Sequence, residues 1–274
     1  MYIECGVAMN VNRVMQAARN GIAEAQYVLG FLYENGLCGM ANRAEAENWY
    51  RRASEQGMSA AQFELASPYW QKPGNDERRQ EAIGWLRKAA ERGFSLAQMD
   101  LGTVLLSGIG IPADPEEAVR WITQAAETGH APAAVSLGYM FLEGRGAARD
   151  LETAFRRFKR AAELGDPEAM NAMGRCYEFG EGVTKDESRA FDCYVNAAKN
   201  GSVSARRSLG RVYYFGALGQ AADSEKADRY YNEHQEILKA RLTEIQAERA
   251  KYGQPQDEVD LMGDDGINHG NSTR

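Results

Sequence analysis

A pair of small residues followed three positions later by glycine returns along the chain. Its glycine falls at Gly21, Gly57, Gly93, Gly129, Gly165 and Gly201, each 36 residues after the last. The pair is Ala-Ala in every copy except Ala53-Ser54. A second column stands nine residues on, at Gly30, Gly102, Gly138, Gly174 and Gly210, with Ala66 in the remaining place. A third holds Gly36, Gly108, Gly144, Gly180 and Gly216, with Lys72 as its exception. Columns in one register at a fixed period of 20–50 residues mean an array of supersecondary units, not one core enlarged by length.

The residues between the glycines make each unit a pair of helices. After each stop comes an alanine: Ala25, Ala61, Ala97, Ala133, Ala169 and Ala205. Four residues later stand Leu29, Leu65, Leu101, Leu137, Met173 and Leu209, and four later again Tyr33, Tyr69, Leu105, Phe141, Tyr177 and Tyr213. Steps of four lay these side chains along one helical stripe, which predicts a first helix, A, of about three turns. A polar residue then opens a second helix, B, at Asn42, Asp114, Asp150, Asp186 and, after one inserted residue, Asp223. Such side chains accept the unpaired amides of a first turn. Glu45 and Glu117 complete capping boxes, and Pro115 occupies the first helical position, where a missing amide costs nothing. Helix B carries Ala46, Ala82, Ala118, Ala154, Ala190 and Ala227, adds Trp49, Trp85 and Trp121, and ends at the small pair and glycine, which stops a helix in the left-handed conformation. The expectation is an all-α solenoid of helix hairpins, each covering its neighbour's apolar face.

These columns closely resemble the Sel1-like repeat, a relative of the tetratricopeptide repeat. The segment Ala169 to Gly201 reads AMNAMGRCYEFGEGVTKDESRAFDCYVNAAKNG, and the resemblance runs over about residues 9–231. It implies a right-handed α-solenoid with helix A on the concave side. The array is expected over residues 22–222, with repeats starting near 22, 58, 94, 130, 166 and 202. Residues 1–21 read as an N-terminal capping helix, a lone helix B over about Asn10 to Asn20. Residues 223–252 read as one long helix completing repeat six, with Tyr231, Ile237, Leu238, Leu242 and Ile245 covering the array's end. The polar, acidic stretch 253–274 reads as disordered. Repeat two departs from the pattern. Pro68 falls inside its helix A, where proline removes a hydrogen bond and kinks the chain, and Pro73, Gly74 and Asn75 replace the usual loop.

Little in the chain points to catalysis. His130, His234 and His269 lie far apart without ligand spacing, so a surface role is expected for each, with no metal and no cofactor. The segment Gly108-Ile109-Gly110 follows a helix and recurs as Gly144/Gly146 and Gly180/Gly182, so it belongs to the repeat and not to a phosphate loop. No Ser-His-Asp or Cys-His set is apparent. Cys5, Cys38, Cys176 and Cys193 form no CxxC pair and read as reduced thiols. The net charge of −7 argues against nucleic acid. No signal sequence and no apolar run of membrane-spanning length are visible, which makes the cytoplasm the expected compartment.

What varies between repeats lies six, ten and thirteen residues after each stop glycine on helix A. That row includes Tyr27, Phe31, Phe63, Trp70, Met99, Tyr139, Arg175, Arg207, Arg211 and Tyr214, with Arg206 beside it, and it runs from aromatic to basic. Aromatic residues and arginine are the usual hot-spot types. The expected function is a non-enzymatic adaptor, a monomer or weak oligomer, binding a protein partner along the concave row. Resemblance also keeps open an immunity protein that neutralises a secreted toxin, and a hydrolase. On the adaptor reading, Arg207→Glu with Arg211→Glu weakens an acidic partner without unfolding the protein.

Overall fold

The computed structural model describes residues 2–37, 39, 41–70 and 76–251. All of the regular structure in them is helical. The B helices are α1 (Tyr2–Arg19), α3 (Arg43–Glu55), α5 (Asp76–Glu91), α7 (Pro115–Glu127), α9 (Leu151–Glu163), α11 (Glu187–Lys199) and α13 (Ser224–Lys251). Between them run the A helices α2 (Ala23–Glu34), α4 (Ser59–Ala66), α6 (Ser95–Ser107), α8 (Ala131–Glu143), α10 (Pro167–Phe179) and α12 (Val203–Phe215). Two compact units divide the chain. Residues 1–166 with 181–183 form the first, and 167–180 with 184–274 the second.

The start and stop signals act as their chemistry dictates. The backbone amides of Glu45, Glu117, Thr153, Arg189 and Lys226 each donate to the carboxylate or amide oxygen of the cap three residues earlier, at 2.8–3.1 Å. The cap's own amide donates back to helix A, for example Asp114 N to Leu105 O and Asp186 N to Tyr177 O, both at 2.9 Å. That bond closes the hairpins that begin at α2, α6, α8, α10 and α12. At the end of the B helices Gly57, Gly93, Gly129, Gly165 and Gly201 hold φ between 83° and 100°, a conformation closed to most side chains.

Helix A meets helix B where glycine removes a side chain. A Cβ at Gly174 would stand 2.7 Å from the Tyr194 ring, and one at Gly210 would stand 2.8 Å from Tyr231. Gly30 faces Tyr50 in the same way, and Gly102 and Gly138 face Ile122 and Phe158. The glycine column is therefore the seat for a large buried residue of helix B. In the first unit this packing joins Leu86, Leu101, Leu105, Ile122 and Leu137 into one core. In the second, Ala190, Tyr194, Leu209 and Val212 pack together. A further column had no sequence signal beyond a glutamine after the alanine. Gln26, Gln62 and Gln98 are buried, and each side-chain amide donates to a carbonyl of the preceding B helix, at Ala18, Ser54 and Ala90.

Two elements differ from expectation. Helix α4 stops at Ala66, before Pro68, instead of running kinked through it. A hydrogen-bonded turn then carries Trp70 N back to Ala66 O at 3.3 Å. Proline has no amide to extend the ladder, so the chain ends the helix and turns. The replacement loop at Pro73, Gly74 and Asn75 lies outside the described residues, as does the tail from 252 onward. Helix α1 begins at Tyr2, well before Asn10.

Candidate protein-binding face

Most of the row singled out on helix A in the first unit is packing. Trp70 is only 3% exposed, and its indole N–H donates to Asp100 Oδ2 at 3.2 Å. Phe63 stacks obliquely on Phe94 at 5.4 Å, and Tyr139 meets Phe158 edge-on at 5.0 Å. Met99 packs half-buried against the core that holds Leu101 and Leu137. Tyr27 lies half-buried 5.7 Å from Tyr50, its hydroxyl hydrogen-bonded to Glu64. Phe31 alone of these is exposed, at 47%. The aromatic character at this end thus fills the gaps between helices, where a stripe beside the core stripe is half covered by the next repeat.

Two carboxylates came with that packing. Burial pushes the Asp100 carboxyl up to about 6, against a smaller pull downward from the Trp70 hydrogen bond. Burial likewise raises Glu64, with Arg43 and the Tyr27 hydroxyl pulling the other way. Both stand seven residues after a stop glycine, a position that no reading of residue type alone selects.

The second unit presents the row differently. Arg175 and Arg207 are exposed. Arg211 is not a free-standing contact. Its Nη2 reaches Glu178 Oε1 at 2.7 Å and Oε2 at 2.5 Å, while Tyr194 donates its hydroxyl to Glu178 Oε2 at 2.7 Å. Glu178 is 8% exposed, so Arg211 supplies the counter-charge that a buried carboxylate requires. The same device appears in the first repeat, where Tyr50 donates to Glu34 at 2.9 Å and Arg43 pairs with Glu34. In these two repeats the tyrosine in the helix B seat is matched by a glutamate thirteen residues after the stop glycine; Tyr231, seated at Gly210, has Tyr214 at that place.

Beyond Arg211 the surface turns aromatic. Tyr214 is 60% exposed and meets Phe215, itself 69% exposed, edge-on at 4.9 Å. Phe179, at the matching place on α10, is 60% exposed. Phe179 and Phe215 stand fourteen residues after their stop glycines, one beyond the row read from sequence. Other repeats put Asn35, Ser107 and Glu143 there, so two phenylalanines among polar residues were the available signal.

The remaining candidates for chemistry are structural. His130 Nδ1 accepts the Ala133 amide at 3.2 Å and so caps α8, and burial lowers its pKa. His234 Nδ1 lies 3.0 Å from Val203 O and ties α13 to the start of α12. Both are half-buried, where a surface role was expected. His269 lies outside the described residues. Cys176 is buried, and burial raises the half-buried Cys193 thiol. Among the described residues no His, Cys, Asp or Glu group is placed to hold a metal, and no helix is long and apolar enough to cross a membrane.

Comparison with known proteins agrees with the architecture. A Sel1 repeat model matches six consecutive segments, residues 23–58, 59–94, 95–130, 131–166, 167–202 and 203–233. A protective antigen of uropathogenic Escherichia coli displaying an SLR fold is similar at 31% identity and a TM-score of 0.73 over 83% of this chain. This chain spans only 48% of that protein. A Sel1 repeat protein from Oxalobacter formigenes is 30% identical, with a TM-score of 0.72 over 82% of this chain and 96% of its own. An immunity protein from Pseudomonas aeruginosa shares the fold at 22% identity and a TM-score of 0.50, over 78% of this chain and 81% of its own. No curated protein sequence matches the chain. Tandem helix hairpins, five of them ended by the same stop glycine, and a repeat model that matches residues 23–233 place this chain in the Sel1-repeat family, with its all-α solenoid fold.

Proposed function

We propose that the chain is a binding scaffold without chemistry of its own, holding a protein partner on helix A faces. Repeats of this family generally mediate protein–protein interaction. The observation that carries the reading is the exposure of Phe179, Tyr214 and Phe215, at 60%, 60% and 69%, on the two helices that also carry the exposed Arg175 and Arg207. Contiguous exposed aromatic surface marks interaction sites, and aromatic residues with arginine dominate the energetics of interfaces. The N-terminal aromatic residues contribute less to this reading, because all but Phe31 are committed to packing.

Site-specific photo-crosslinking tests it. A benzophenone side chain at Phe215 should capture a defined protein in the source cell. The same group at Lys159, exposed on α9, should not. Equal adducts from both positions, or none from Phe215, would remove the support for this face.

A further inference from the structure

Two of the three buried glutamines on the A helices meet a second carboxamide, and one does not. Gln56 Nε2 donates to Gln26 Oε1 at 2.7 Å, and Gln98 Nε2 donates to Gln124 Oε1 at 3.2 Å. Gln62, only 2% exposed, is the member of the column between them. Its Nε2 donates to Ser54 O at 3.2 Å, which fixes the orientation of the amide. Its Oε1 is buried and has no hydrogen-bond partner. Gln98 Oε1 also lacks a donor, but Gln98 already holds the Gln124 carboxamide. Buried acceptors are nearly always paired, so Gln62 requires a donor that the described residues do not supply.

The missing glutamine has been replaced by cations. Gln56 stands 30 residues after Gln26, and Gln124 stands 26 after Gln98. The same steps from Gln62 reach Arg92 and Lys88. Neither takes the glutamine's part. Lys88 Nζ lies over the Trp85 ring, 4.2 Å from its centre. The Arg92 guanidinium lies against Gly57, with Nη1 and Nη2 2.9 Å from where a Cβ would stand. Arg92 is exposed and makes no hydrogen bond or ion pair among the described residues, so it is free to turn. A cleft of about 540 Å³ opens here within the first unit, lined by Gln62, Trp85, Lys88 and Arg92 together with Glu55 and Glu91.

This lining selects a neutral group that both donates and accepts. An ammonium or guanidinium would donate to Oε1 but would meet Lys88 and Arg92. A carboxylate would suit those cations, yet it offers Oε1 no hydrogen and meets Glu55 and Glu91. A carboxamide has two N–H donors and a carbonyl oxygen, and it is the group that this chain itself seats on Gln26 and Gln98. We propose that the cleft takes the carboxamide of a glutamine or asparagine side chain on a partner protein. Its N–H donates to Gln62 Oε1, its oxygen accepts from the Arg92 guanidinium, and its methylene groups pack beside Trp85. The source of the side chain rests on the scaffold reading above, and the site adds a contact in the first unit to the exposed aromatic residues of the second.

The test titrates the full chain, labelled with nitrogen-15, with propionamide, which is the glutamine side chain alone. Propionate, of the same shape without the donor, is the control. The expected result is saturable movement of the Gln62 side-chain amide and Trp85 indole signals, with propionate at least about tenfold weaker. Arg92→Gln sets a carboxamide where Gln56 stands one repeat earlier. It should raise the midpoint of urea unfolding and abolish propionamide binding. Gln62→Met, shown to be folded by circular dichroism, should also abolish binding, read at the Trp85 indole. Equal response to propionamide and propionate, no response to either, or unchanged propionamide binding in Arg92→Gln overturns the proposal. Free L-glutamine binding at least about tenfold tighter than propionamide overturns the partner as source, because the cleft then recognises the charged backbone of a small molecule. A partner captured at Phe215 while propionamide is silent removes this site and leaves the scaffold reading intact. Propionamide bound with no partner captured keeps the cleft and removes the source argued for it.

Discussion

Arg207 and Arg211 lie one turn apart on α12 and serve different ends. Arg211 neutralises Glu178, whose side chain is 9% exposed, whereas Arg207 faces outward. Removing one partner of a buried pair strands a charge in low dielectric. Arg211 is itself 37% exposed, so solvent offsets part of that cost. Arg211→Ala should lower stability by about 2 kcal/mol in urea unfolding, while Arg207→Ala should change it by less than about 0.5 kcal/mol. Equal midpoints for the two variants would contradict the assignment. The joint reversal of both arginines is thus a poor probe of binding, because Arg211→Glu places a second carboxylate against Glu178. Sequence showed two equivalent arginines in a variable row. It showed nothing of Glu178 as a partner, because a glutamate on a helix ordinarily belongs to a solvated face.

Asp100 gives a residue-scale test with a definite sign. Its pKa stands near 6 in the fold, above the usual carboxylate value of 3.8, because burial disfavours the charged form. Below the unfolded value both states are protonated and the site costs nothing. As pH rises through the folded value, the fold must hold a charge it resists, and stability is lost. Asp100→Asn keeps an oxygen for the Trp70 indole and removes the charge. The variant should match the parent near pH 4 and exceed it by about 2 kcal/mol at pH 7, read from urea unfolding at steps between. A constant difference across that range would mean that the carboxylate does not titrate as its burial requires.

At the scale of the element, glycine has two meanings that the sequence does not separate. Gly174 lies under Tyr194, and an added Cβ would meet the ring at 2.7 Å and the Ala190 carbonyl at 3.2 Å. Gly84 sits within α5, exposed, with nothing within 4 Å of an added Cβ. Gly174→Ala should cost about 2 kcal/mol, since the close approach of helix A to helix B is lost. Gly84→Ala should gain about 0.5–1 kcal/mol, since it only removes backbone freedom from a helix. Thermal melts of the two variants should therefore move in opposite directions. The hairpins themselves were legible, because caps, apolar stripes and stop glycines are local signals. Repeat two was half legible. Pro68 marked the break, but that the following turn would bury Trp70 against Asp100 depends on a contact with the next repeat.

At the scale of the whole molecule, the last helix shows how the repeat ends. With its one inserted residue, α13 carries His234 and Gln235 where α11 has the small pair Ala197 and Ala198, and Leu238 where the stop glycine Gly201 stood. Without the glycine the helix runs on to Lys251. The outer face changes in the same step. Phe191 and Val195, half-buried in the second unit's core, give way to Asp228 and Asn232, both exposed. A terminal unit of a repeat array needs such a polar face, because an apolar one would seek another repeat. Asp228→Phe with Asn232→Val restores the internal pattern on an uncovered face. Sedimentation velocity should then show association that rises with concentration, while the parent at the same concentrations sediments without that trend. If the variant sediments as the parent does, the polar substitutions are incidental, and the end of the array is set by the missing glycine alone.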